Sequence, residues 1–228
     1  MPGNKKITRQ RIKTDASFER TRENIEEFVN AANAVKIIKG AFRDLLLTAS
    51  DPFVNNRLTQ VTMRVLKTDP ASDRGQRSVA KGNLLLLRGF EFNNRNGLDQ
   101  SLYAKPVVQI DRATGKITVS IPEFIPKKKI VAPPEASHFQ IISVAAAIDF
   151  ENNTYEEVVQ QTASLSWDQN KVNPVSLEMS VSPAGKLPIL VAVGINFDQA
   201  VNNKMYTLNS GTFNAAAITE VSPAPAGG

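Results

Sequence analysis

The chain has 228 residues, 42% hydrophobic and 21% charged, with a formal net charge of +5 and no cysteine. That length buries a core without covalent staples, and the lack of cysteine excludes a disulfide framework, a thiolate nucleophile and a zinc–thiolate site. No apolar run approaches the roughly 18 residues of a membrane-spanning helix, and Met1-Pro2-Gly3-Asn4-Lys5-Lys6 is not the apolar core of a signal peptide, so the expectation is a soluble, cytoplasmic protein or one released as an assembly.

The charge is unevenly placed. Residues 1–81 hold 16 basic and 9 acidic side chains, a net of +7, while residues 82–228 hold 11 and 13, a net of −2. The first fourteen residues carry Lys5, Lys6, Arg9, Arg11 and Lys13 with no acid. Residues 1–16 are read as a basic extended arm, suited to phosphates or to an acidic protein surface.

Residues 17–81 read as helical. Asp15 or Ser17 caps a helix in which Phe18, Ile25, Phe28, Val29, Ala32, Val35, Ile38, Phe42, Leu45 and Leu46 recur at spacings of three and four. Gly40 is a candidate break. Ser50-Asp51-Pro52 starts a second helix with Val54, Leu58, Val61, Val65 and Leu66 inward, and Thr68-Asp69-Pro70 stops it. The pair predicts a helical hairpin whose apolar stripe is covered by the rest of the chain or by another subunit.

Residues 82–222 read as β-structure. Leu84–Leu87 is continuously apolar, Phe90 and Phe92 alternate with Gly89 and Glu91, and Asn93–Gly97 has turn chemistry. The expectation is a strand with both faces covered, joining the helical and β parts. Val107–Ile110 and Ile117–Ile121 flank a Gly-containing loop and predict a hairpin. A proline-punctuated loop with Lys127-Lys128-Lys129 follows. Strands are predicted over His138–Phe150, Tyr155–Trp167, Val175–Val181, Leu187–Phe197 and Phe213–Val221, before a Pro/Ala/Gly tail at 223–228. The fold class is α+β: an N-terminal helical hairpin followed by an antiparallel β-sandwich of immunoglobulin or fibronectin III character, or a jelly roll or open barrel.

Catalytic patterns are missing from the sequence. His138 is the single histidine, and no Gly-x-Ser-x-Gly elbow accompanies it. Asp149, Glu151, Glu156 and Glu157 lack the spacing of a calcium loop. Arg112–Lys116 holds Thr-Gly-Lys without the rest of a phosphate loop. No catalytic, cofactor or metal residue is assigned.

Several segments resemble a family of uncharacterised bacterial proteins with a helical N-terminus and a β-rich remainder. They are Arg22–Phe28, Thr68-Asp69-Pro70 with Arg74-Gly75, Arg88–Asn93, Gly194–Gln199, Tyr206 and Phe213-Asn214-Ala215. The resemblance spans most of the chain and implies no activity.

The leading functional expectation is a non-enzymatic structural subunit that self-assembles into a filament, tube or shell. Phe18, Ile25, Phe28, Val35 and Phe42 are its candidate apolar face, and Lys5, Lys6, Arg9, Arg11 and Lys13 its candidate contacts to a neighbouring subunit or polyanion. One alternative is a nucleic-acid-associated protein using the same basic arm, which however contains no aromatic residue for base stacking. The other is a ligand- or protein-binding sandwich presenting Trp167, Tyr155 or Tyr206 in a concave patch.

Overall fold

Residues 7–182, 185–202 and 204–225 are described by a computed structural model. Lys5 and Lys6 lie outside the described residues. The first element is helix α1 (Arg9–Thr14), so the arm is helical there rather than extended. The cause is local: the Thr8 hydroxyl accepts the Arg11 N–H at 3.2 Å, and Arg11 and Asp15 form an i,i+4 ion pair at 3.0 Å. The Arg22 guanidinium then donates to the carbonyls of Ile12 and Asp15 at 2.8 and 2.9 Å, satisfying acceptors that a short helix leaves open.

Helix α2 (Glu19–Ala41) runs through Gly40 and breaks at Phe42, where φ is −109° and ψ is 27°. Helix α3 (Arg43–Thr48) continues after the break, and α4 (Val54–Lys67) folds back against α2 as the predicted hairpin.

Leu84–Leu87 is a 3-10 turn, not a strand. The Asn83 side-chain oxygen accepts the Leu85 N–H at 3.1 Å and starts the turn. Side chains three apart eclipse in this geometry. Leu84 and Leu87 therefore point inward together, and Leu85 and Leu86 are 48% and 41% exposed. The expectation of two covered faces fails for this pair.

After a helical turn α5 (Leu98–Ser101) come β1 (Val107–Asp111) and β2 (Lys116–Ile121), then a second turn α6 (Pro126–Lys129). The remaining strands are β3 (His138–Asp149), β4 (Thr154–Gln161), β5 (Leu165–Ser166), β6 (Val175–Ser180), β7 (Ile189–Val201), β8 (Lys204–Thr207) and β9 (Ala215–Ser222). Strand β8 was not foreseen in the sequence. One antiparallel sheet has the order β1-β2-β6. The other has the order β4-β3-β7-β8, with β5 also on β3 and β9 also on β7.

The predicted α+β class and antiparallel sandwich are what the chain forms. Alternation along β3 organises the core. Ile142, Val144, Ala146 and Ile148 face the helices, while Phe139, Ile141, Ala145 and Ala147 face the small sheet. The large sheet is thus a middle layer covered on both sides, which explains the near-continuous apolar runs of β3 and β7. Phe42, Leu45, Leu58 and Phe92 are fully buried on the helical side, each contributing about 1.5–3 kcal/mol relative to exposure. Strand-like pairing in the 82–94 stretch begins only at Gly89. Gly89 N–H donates to Ile218 at 2.7 Å, Ile218 N–H to Phe90 at 3.0 Å, and Phe92 N–H to Ala216 at 2.8 Å. These bonds cover the outer edge of β9.

Candidate functional site

The basic cluster divides. Arg11 is occupied by Asp15 and lies over the Phe18 ring, 5.5 Å from its centroid. Hydrogen bonds from Ser17 and Arg11 hold the Asp15 carboxyl down to about 2. Arg9 and Lys13 are exposed and make no ion pair among the described residues.

The apolar stripe also divides. Val35 and Phe42 are 5% and 0% exposed and belong to the chain's own core. They are not assembly-face residues: the helix turns them onto α4 and the large sheet. Ile25, Phe28 and Val29 are 49%, 56% and 49% exposed. Ala32 is exposed beside them. Phe18 is half-buried under Arg11.

At 100° per residue, Ile25, Phe28, Val29 and Ala32 centre about 120° around the helix from Ala31, Ala34, Val35 and Ile38, and Phe28 stands only about 20° from Val35. Helix α2 is therefore apolar over a wide sector, and the fold covers only part of it. A helix of 23 residues is about 34 Å long.

A concavity of about 580 Å³ opens where the helical layer ends over the large sheet. Its floor is built by the helix-facing positions of neighbouring strands. Gln140 pairs with Asn196, Ile142 with Gln161, and Asp198 with Thr207. Asp44, Leu47 and Thr48 of α3 form a wall. Leu45, one residue from that wall, packs on Gly194, where a Cβ would stand 2.8 Å from Leu45 Cδ2. That close approach lets α3 sit down on β7 and fixes the depth of the cleft.

The Gln140 amide donates to Thr162 at 2.7 Å, and Asn214 bridges Phe197 N–H and the Thr48 carbonyl, each at 2.9 Å. Three groups remain without a bond among the described residues. The Asn196 side-chain oxygen is buried and has no partner. The carboxylates of Asp44 and Asp198 make no hydrogen bond or ion pair to the described residues. Among the described residues, no Lys or Arg lines the cleft.

No family model and no curated protein matches the chain. One solved structure is similar over part of it: "pH-induced modulation of Streptococcus parasanguinis adhesion by Fap1 fimbriae", with 12% identity, 53% of this chain and 82% of that one covered, and a TM-score of 0.25. At that score the likeness carries no argument about fold or function.

The remaining candidates are engaged otherwise. The Ser137 hydroxyl accepts the Ala200 N–H at 2.8 Å and lies 2.9 Å from His138 Nδ1. His138 Nε2 lies 3.5 Å from the Ser166 hydroxyl. Trp167 is covered by Lys127, whose Nζ lies 3.1 Å from the ring centroid. Tyr206 is 53% exposed on β8, and Tyr155 lines a hollow of about 460 Å³ beside α2. Among the described residues, no group of three or more His, Asp or Glu is placed to hold a metal ion, and no helix is long and apolar enough to cross a membrane.

Sequence reasoning named none of the cleft residues as site candidates, although Asn196, Asp198 and Asn214 fall in the segments that carry the family resemblance. The lining comes from α3, β3, β4, β7 and β8, and nothing local in the sequence marks residues so far apart as neighbours.

Proposed function

We propose that the protein is a structural subunit that assembles with copies of itself through the outward face of α2. The observation that supports this is the wide apolar sector of one helix, part of it packed in the core and part bearing Ile25, Phe28 and Val29 at about half exposure. An apolar sector wider than the core contact calls for a second cover, and this fold supplies only one.

The second layer is another copy of α2. A two-fold axis between Phe28 and Val29 brings the two helices together antiparallel. Ile25 then lies over Ala32 of the second copy and Phe28 over its Val29, so a large residue meets a smaller one in every layer. Such a contact is self-complementary and closed. Phosphate contacts by Arg9 and Lys13 have no comparable support, because the described basic segment presents no stacking residue.

Sedimentation velocity of the full chain over a concentration series tests the reading. Phe28→Asp is expected to abolish self-association. Phe53→Asp, at a side chain 62% exposed elsewhere on the surface, is expected to leave it intact. A wild-type chain that stays monomeric at high concentration would remove the proposal.

A further inference from the structure

The contact through α2 closes on itself and yields a pair. An ordered polymer needs a second, head-to-tail contact between two different surfaces, and the chain carries two surfaces of complementary charge. One is the polar cleft beside α3, where Asp44, Asp198 and the buried Asn196 oxygen all lack partners among the described residues and no cation is present. The other is residues 1–14, with five basic side chains and no acid, of which Arg9 and Lys13 are exposed and unpaired among the described residues.

We propose that the cleft is a receptor for an alkylammonium or guanidinium group, and that its occupant is a Lys or Arg side chain from residues 1–14 of a second copy. This rests on the self-assembly reading and supplies its second contact. The chemistry of the lining selects the ligand. Two free carboxylates and an unsatisfied amide oxygen call for a group that only donates and carries positive charge, which describes lysine and arginine side chains. An anion is repelled. A sugar demands an aromatic or other flat apolar platform, and no aromatic side chain lines the cleft. A volume of about 580 Å³ admits an extended side chain, and Leu47 in its lining, 70% exposed, is placed to cover the aliphatic stem of that side chain.

The test uses the full chain and a fluorescein-labelled synthetic peptide of residues 1–14, titrated at low salt and followed by anisotropy. Saturable binding is expected, weakened about tenfold by Asp44→Asn/Asp198→Asn, the factor that two part-exposed ion pairs supply. It is expected to disappear at high salt. A peptide with Glu at its five basic positions is expected to bind Asp44→Lys/Asp198→Lys and not the wild type, which guards against a variant that simply misfolds. Peptide binding indifferent to both carboxylates would overturn the assignment. So would saturable binding of cellobiose without binding of the peptide, which would give the cleft to hydroxyl-rich ligands. Failure of the α2 contact is read separately, in the sedimentation series.

Discussion

The Asp51 carboxylate and the Arg57 guanidinium meet at 2.5 Å in the seam between α4 and residues 91–94. Asp51 is 3% exposed at its side chain and also accepts the N–H groups of Phe53 and Asn94, each at 2.7 Å. Arg57 donates further to the carbonyls of Glu91 and Phe92 at 2.6 and 3.1 Å. One ion pair thus fastens the helical layer to the segment that covers β9. Asp51→Ala is expected to cost about 2–3 kcal/mol in urea unfolding, somewhat less than a fully buried pair because Arg57 keeps contact with water. A loss under about 0.5 kcal/mol would place the fastening in the backbone bonds alone.

Two carboxyls near this seam give opposite pH dependences. Burial pushes the Asp51 carboxyl up, but the Asn94 and Phe53 N–H groups and Arg57 outweigh it and hold it below its ordinary value. Its contribution is complete above the unfolded carboxylate value and is lost as pH falls through the lower folded one. Glu91 is raised, by burial first, against the opposing N–H of Leu98. Its contribution is complete below the unfolded value and is lost as pH rises through the higher folded one. Glu91→Gln should therefore raise Tm at neutral pH and change it little in acid. An equal fall in Tm at every pH would show that the carboxylate matters only as the acceptor of Leu98 N–H.

The helices and the β1–β2 hairpin were legible because their periods differ, 3.6 against 2. The run Leu84–Leu87 has no period, so composition alone suggested a strand, and the Asn83 cap decided for a 3-10 turn. The stripe on α2 misled for another reason. Phe28, Val35 and Phe42 are spaced by seven and lie within about 40° of one another around the helix, yet the core covers Val35 and Phe42 and leaves Phe28 half exposed. The period marks a side of the helix, not how far along it the rest of the fold reaches. The cleft was illegible because register and the α3 wall assemble it from distant segments.

The leucine turn gives a direct check on the corrected geometry. Leu87 is fully buried and Leu85 is 48% exposed. Leu87→Ala is expected to cost about 2–4 kcal/mol, and Leu85→Ala less than about 0.5 kcal/mol. Similar losses at both positions would restore a segment covered on both faces. Chemical unfolding of the two variants, at concentrations where self-association is absent, separates these outcomes.

Gly40 and Tyr155 are expected to be energetically coupled. A Cβ at Gly40 would stand 2.8 Å from Tyr155 Cε1 and 2.9 Å from its hydroxyl, so the ring of β4 rests on the backbone of α2. Alanine inside a helix is favoured over glycine by about 1 kcal/mol. In the wild type that gain is offset by the cost of displacing a ring that is 40% exposed and packed on the helix backbone. Gly40→Ala should then be close to neutral alone and stabilising by about 1 kcal/mol in a Tyr155→Ala background, a non-additivity that a double-mutant cycle measures. Additive effects would mean that the ring leaves at no cost and does not set the angle of α2. If the coupling is found, Gly40→Ala should also weaken self-association, because displacing the ring tilts the helix that carries Ile25, Phe28 and Val29.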